Sequence, residues 1–281
     1  MDTSWEEFGW ERIGHGMGRR RLPGWDATTA LVAGAEGALL LDTGSTLREG
    51  AGIRDGARAL LGREVTHIAL THPHFDHVLG TAAFPRVRES GNVRESGNVR
   101  ESGSVRESGN VRESGNVRES GSVRVYGAAG TADLLRSGRG AADLCADAVR
   151  HGVPEREAAE AVAALVAPDH EVRDELTVDL GGGRRVLLVN LGPAHSGHDL
   201  VAVVPGSPAV VFCGDLVEES GEPQAGPDAA LARWPAALDR LLALGGEEAV
   251  YVPGHGAVVD AAFVRDQRDR LAAAARGTAG A

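Results

Sequence analysis

The sequence predicts an α/β protein in which two sheets are flanked by helices. Short apolar runs rich in Val, Leu and Ala alternate with longer amphipathic stretches in the order strands, helix, strand, helices, strands, helix, strand, helix. The short motifs richest in His and Asp each follow directly on an apolar run, at the carboxyl end of a strand, where α/β sheets build their sites. The 281 residues, 42% hydrophobic and 25% charged, suffice for a sizeable core. The order of elements alone fits other α/β layouts as well.

Residues 28–33 (TTALVA) and 37–41 (GALLL) read as a strand pair joined by an Ala-Glu-Gly turn, with LDTG (41–44) closing the second strand. Residues 48–62 read as a helix ending at Gly62. VTHIAL (65–70) is a buried-type strand that runs into THPHFDH, and a short helix is expected from His77 to Ala83. RVYG is the next strand, followed by helices at 129–137, 140–151 and 154–166, the last with Pro154 in its first turn. ELTVDL, RRVLLVNL, DLVAVVP and AVVFCGD read as four successive strands separated by Gly- and Pro-containing turns. A helix over 228–244, the strand EAVYVP and a helix over 260–275 capped by Asp260 complete the chain.

One segment interrupts this plan. From Val87 to Ser122 the chain reads VRESGN VRESGN VRESGS twice over, six hexads in two identical blocks. Each hexad is electrically neutral and carries a single apolar residue, too little to offset the entropy of ordering it. A solvated insertion is expected; a hexapeptide β-helix would have only two coils and an ill-suited glycine. The rest, 1–281 apart from 87–122, reads as one domain.

The net charge of −11 disfavours a nucleic-acid partner, and no run of 18 apolar residues is present to cross a membrane. The acidic start MDTSWEEFGW has no apolar signal region, so a cytoplasmic location is expected. Cys145 and Cys213 are too few for a disulfide scaffold. All 29 basic residues are arginine, which excludes a lysine Schiff base.

The chemistry concentrates at four strand ends. In His72-Pro-His74-Phe-Asp76-His77 an extended backbone turns His72 and His74 to one side, while Asp76 and His77 follow at the turn. Three imidazoles and a carboxylate in six residues suit a borderline cation such as zinc. Ala194-His195-Ser196-Gly197-His198-Asp199, Cys213-Gly214-Asp215 and Pro253-Gly254-His255-Gly256 close three later strands. Each is weak by itself; four in order are not.

With LDTG, HPHFDH, AHSGHD, CGD and PGHG in this order, the chain resembles the metallo-β-lactamase-fold hydrolase superfamily, and its ligand set resembles that of glyoxalase II. The resemblance implies an αββα four-layer sandwich with two metals at one edge of the sheets. It implies His72, His74 and His195 on the first ion, Asp76, His77 and His255 on the second, and Asp215 bridging them. Asp42 would orient a ligand from outside, and Asp76 would also orient the attacking water. Two Zn2+ are the implied cofactors, with iron or manganese as the other metals the family loads. A shared water of lowered pKa would attack a small ester, thioester, lactone or amide. The alternative within the fold is a mononuclear iron oxidoreductase of the persulfide dioxygenase type. The substrate is expected to be a small molecule, with neither nucleic acid nor membrane as partner; the oligomeric state is left open.

The remaining candidates read as structural. His198 is expected to support the site without binding metal, His67 to be a strand residue, and His15, His151 and His170 to lie at the surface or in packing. Cys213 reads as a buried core thiol, because His77 and Asp215 leave it no role as a ligand. Trp25 and Trp234 are weighed between the cleft and the core.

Overall fold

In a computed structural model the described residues are 5–85 and 122–278. All but the last residue of the repeat 87–122 therefore lies outside them. Among the described residues no helix is long and apolar enough to cross a membrane.

The first sheet has seven strands in sequence order: β1 (Glu11–Gly14), β2 (Met17–Arg21), β3 (Thr28–Ala33), β4 (Ala38–Leu41), β5 (His67–Ala69), β6 (Arg124–Ala128) and β7 (His170–Val172). It is antiparallel from β1 to β4 and parallel from β4 to β7. The second sheet has five strands: β8 (Glu175–Asp179), β9 (Arg185–Asn190), β10 (Leu200–Val204), β11 (Val210–Glu218) and β12 (Val250–His255). It is antiparallel except for the parallel pair β11–β12. The helices are α1 (Leu47–Leu61), α2 (Phe75–Val78), α3 (Thr131–Arg136), α4 (Gly138–Arg150), α5 (Glu155–Ala163), α6 (Trp234–Gly245) and α7 (Ala261–Thr278).

The period-two alternation of the strands builds the layers. On β3 and β4, Ala30, Val32, Leu39 and Leu41 face inward and pack on Val186, Leu188, Ala202 and Phe212 of the second sheet. Their neighbours Leu31 and Leu40 turn outward, onto Ile53 and Ala57 of α1 and Ala148 of α4. On the far side Val189, Val201, Val211 and Tyr251 meet Trp234 and Leu238 of α6 and Val264 of α7. The order is helices, sheet, sheet, helices, as the sequence led one to expect.

Three local readings change. β1, β2 and β7 were not anticipated. β1 and β2 are rich in polar residues, and β2 buries Arg19, whose guanidinium is neutralised by Glu11 at 2.8 Å and donates to Gly256 O at 2.8 Å. The helix expected at His77–Ala83 is instead α2 over Phe75–Val78 followed by a 3-10 turn over Thr81–Ala83. The helix expected over 228–244 begins only at Trp234, because 228–233 bonds elsewhere: Ala230 N–H donates to Ala194 O at 2.8 Å. Asp260 caps α7 as expected, accepting from Phe263 N at 2.9 Å.

Candidate metal centre

The parallel register of β4 and β5 brings the carboxyl ends of both strands to one edge, and with them Asp42 and His72. Leu200 N–H donates to Thr71 O at 2.7 Å, which ties the second sheet to that edge and carries the β9–β10 loop with it. β11 and β12 end there as well, delivering Asp215 and His255. Gly254 is required in this approach: a Cβ on it would stand 1.8 Å from Asp215 Oδ1.

Two groups of side chains converge. His72, His74, His195 and Asp215 form the first, and Asp76, His77 and His255 the second; within each group the ligand-type atoms lie within 4.8 Å of one another. His195 Nε2 is 3.0 Å from His74 Nδ1. Asp215 Oδ2 is 3.5 Å from His72 Nε2, 3.5 Å from His195 Nε2 and 3.2 Å from His255 Nε2. Asp215 Oδ1 is 3.2 Å from His77 Nε2, so the carboxylate spans both groups. Asp76 Oδ2 lies 3.4 Å from His255 Nε2 and 3.6 Å from His77 Nε2. Tetrahedral ligands at zinc distances stand about 3.3–3.5 Å apart, so these separations fit a divalent ion in each group.

The hydrogen bonds behind the rings sharpen the fit. A ligating imidazole has its second nitrogen held from outside, which fixes the tautomer. His255 Nδ1 donates to Trp25 O at 2.7 Å and His195 Nδ1 to Gln224 O at 3.1 Å. His77 Nδ1 lies 2.9 Å from Asp42 Oδ2, and His74 Nε2 lies 3.1 Å from Asp228 Oδ2. Thr71 Oγ1 donates to Asp42 Oδ2 at 2.7 Å and is 2.9 Å from His72 Nδ1, from which it accepts. The inward atoms His72 Nε2, His77 Nε2 and Asp215 Oδ1 are buried and hydrogen-bonded to nothing. Buried polar atoms are ordinarily satisfied, and orphans that converge on one point are what a metal site leaves when its ion is not counted.

Charge agrees with this geometry. Burial would raise the Asp215 carboxyl, but His77, His255 and His72 outweigh it and hold it well below the usual carboxylate range. Burial drives His195 down to about 4 and His72 well below its ordinary value, which leaves their lone pairs free, whereas at His77 and His255 the Asp215 carboxylate outweighs burial and raises both rings, His255 to about 9.

The structure brings the seven expected ligands together in two groups, with Asp42 behind His77. Asp42 does more than expected: directly through His77 and by way of Thr71 through His72, it orients a ring in each group. It also accepts from Thr71 N at 2.8 Å, and it holds this position with φ 58, a left-handed conformation that aspartate tolerates better than most residues. His198 Nδ1 donates to Ala129 O at 2.9 Å and fastens the start of α3 to the β9–β10 loop. Asp199 accepts from Ala194 N, Ser196 N and Ser196 Oγ, and burial pushes its carboxyl up to about 6. Trp234 is fully buried and packs edge-on against His195 at 5.3 Å; its indole donates to Leu216 O. Trp25 is half-buried, edge-on to Phe75, whose ring stacks on His151 just after α4. Cys213 is a buried core thiol, as expected.

Sequence reasoning missed Thr71, Gln224 and Asp228. Thr71 stands beside the motif and could have been suspected from its hydroxyl. Gln224 acts through its backbone, and Asp228 lies 154 positions from His74, so neither leaves a local signal.

Residues 22–255 match the model of the metallo-beta-lactamase superfamily. Solved structures share the fold at low identity. A metallo-beta-lactamase from Pontibacter korlensis is 21% identical, with a TM-score of 0.62 over 93% of this chain and 97% of its own. The metallo-beta-lactamase FIM-1 from Pseudomonas aeruginosa, in its mono-zinc form, is 19% identical, with a TM-score of 0.57 over 95% of each chain. The metallo-beta-lactamase DIM-1 is 15% identical, with a TM-score of 0.62 over 94% of this chain and 97% of its own.

Proposed function

The chain belongs to the metallo-beta-lactamase superfamily, and from that premise we propose that it is a dinuclear zinc hydrolase acting on a small ester, thioester, lactone or amide. The observation that carries the count of two is His77. Its Nδ1 is held by Asp42, and its Nε2 is fully buried and unbonded beside Asp215 and Asp76. With the first group alone occupied, that buried nitrogen would have to carry a proton and pair with Asp215 at 3.2 Å, whereas a second ion takes its lone pair directly. This favours the paired site over the mononuclear iron reading.

When bound, two divalent ions would supply a water of lowered pKa and a Lewis acid for the substrate carbonyl. The chain's own residues do the rest. His72, His74 and His195 would hold the first ion, Asp76, His77 and His255 the second, with Asp215 between the two groups. Asp42 and Thr71 lock His72 and His77 so that neither ring swings during turnover. The side chains of His74 and His255 are 24% and 13% exposed and that of Asp76 is 10%, whereas His72 and His77 are sealed at 1% and 0%. Substrate therefore approaches over His74, Asp76 and His255. Asp76, on that open side, would orient the attacking water. The substrate in this reading is a small molecule, and the net charge of −11 speaks against a nucleic-acid partner.

The test is elemental analysis of protein purified without added metal or chelator, followed by an ester, thioester and lactone screen. Two zinc ions per chain with turnover abolished by chelation is the expected result. One iron per chain with oxygen uptake would replace this reading with the dioxygenase.

A further inference from the structure

The five ligand histidines are not held alike. His72 and His77 are oriented by Thr71 and Asp42, just past the ends of β5 and β4, and His255 by the Trp25 carbonyl of the short β2–β3 loop, where Ala27 also bridges to His255. His74 and His195 are oriented by one irregular segment, residues 219–233, between β11 and α6. That segment is anchored by Gln224 N–H donating to Glu218 Oε2 at 3.1 Å and Ala230 N–H donating to Ala194 O at 2.8 Å. Between those anchors it presents the Gln224 carbonyl to His195 and the Asp228 carboxylate to His74. The side chain of Asp228 is 45% exposed, and among the described residues its one ion pair is with His74. Asp42, the corresponding carboxylate of the second group, is 4% exposed.

We propose that Asp228 is a positioning residue for the first ion, and that the 219–233 segment makes this ion the exchangeable one while the second is fixed by the sheet. The inference rests on the paired-metal reading. By accepting from His74 Nε2, the carboxylate presents Nδ1 toward His72 and His195. Without it, His74, the most exposed of the five rings, is free to rotate away. The segment meets the second group only through the backbone, where Glu219 N–H donates to His255 O at 2.9 Å; among the described residues it bonds none of that group's side chains, so they should not sense the change.

Zinc affinities, measured by competition with a chromophoric chelator, test this on the full chain. Asp228→Ala is expected to weaken one of two affinities 10–100-fold and leave the other unchanged, the usual cost of losing an outer partner. Asp228→Asn, which keeps an acceptor oxygen of the same shape, should lose less than tenfold and also answers the question if the alanine variant does not fold. Glu222→Gln, on the same segment but away from the rings, should change neither affinity. In a His195→Ala background, which already lacks the first group's third ring, the remaining affinity must not respond to Asp228→Ala. Unchanged affinities in both Asp228 variants, an equal fall at both sites, or a Glu222→Gln effect as large as that of Asp228→Ala would overturn the assignment. Wild-type protein that takes up fewer than two ions overturns the paired-metal reading along with it; two ions indifferent to Asp228 overturn this inference alone.

Discussion

The parallel half of the first sheet carries histidines at both ends, buried at His67 and at His72, and one end alone is built for metal. At the amino end His67 of β5, Tyr126 of β6 and His170 of β7 lie side by side, their rings stacked at 25° and 23°. His67 Nδ1 meets the Thr66 hydroxyl at 2.7 Å. At the carboxyl end His72 meets His74 at 83° and His195 at 90°. Flat stacking hides ring faces from water and sends the nitrogens to separate partners. Edge-on packing turns the nitrogens of several rings toward one point. Burial does not distinguish the two, since His67 and His72 are 9% and 1% exposed. What makes a histidine a ligand here is a nitrogen held from behind and a second one facing other unsatisfied atoms.

The most severe way to break the carboxyl end is Asp215→Ala. Among the described residues it removes the carboxylate that touches both groups and leaves His77 and His255 with Asp76 alone as their shared counter-charge. Metal content should fall from two ions toward one, and turnover by more than the 10–100-fold that loss of an outer partner costs. Elemental analysis beside steady-state rates reads both; a variant still holding two ions would remove the bridge from the picture.

The two ends were unequally legible from sequence. HPHFDH is a local pattern in which alternation and a tight turn do most of the placing, so its four ligands can be read directly. The strand-end positions of His195, Asp215 and His255 follow from apolar runs that stop where the motif starts. The supports were harder to read. Residues 228–233 carry alanines that suit a helix, but Pro235 fits a first turn and not an interior, and the distant bonds from Ala230 to Ala194 and from Asp228 to His74 give the segment other partners. β2 hides its burial behind Arg19, whose partners are a carboxylate on β1 and a carbonyl beyond β12. Tertiary context decides such segments, and no window of sequence contains it.

The amino end makes a smaller, pH-dependent prediction. Burial, helped by the nearby Arg124 and His170, pushes His67 down to about 4 from 6.5. The unfolded chain therefore binds this proton first, and the stability that neutral His67 confers is lost as pH falls from about 6.5 to about 4. His67→Phe keeps the ring on Tyr126 and cannot be protonated; Thr66 retains its bonds to Ala38. In chelator-treated protein the variant should lose about 1–3 kcal/mol less stability than wild type across that window. Urea midpoints at several pH values measure it; parallel curves would mean that His67 titrates normally.

The smallest effect is expected from the largest change, deletion of residues 87–122. Pro85 and Val123 flank the repeat, and Val123 N–H donates to Pro85 O at 3.2 Å, so the chain leaves and returns at one point. That point adjoins Arg124 at the amino end of β6, which pairs in register with His67, whereas the metal ligands follow the carboxyl end of β5. After deletion only Arg86 separates the two flanking residues, and their existing bond becomes that of a three-residue γ-turn. Closing so short a turn in place of a long excursion costs no packing at either end. Metal content and turnover should stay within about twofold of wild type, the outcome that supports a single domain with an inserted repeat. Loss of metal on deletion would place the repeat at the carboxyl end after all and erase the division between the two ends of the sheet.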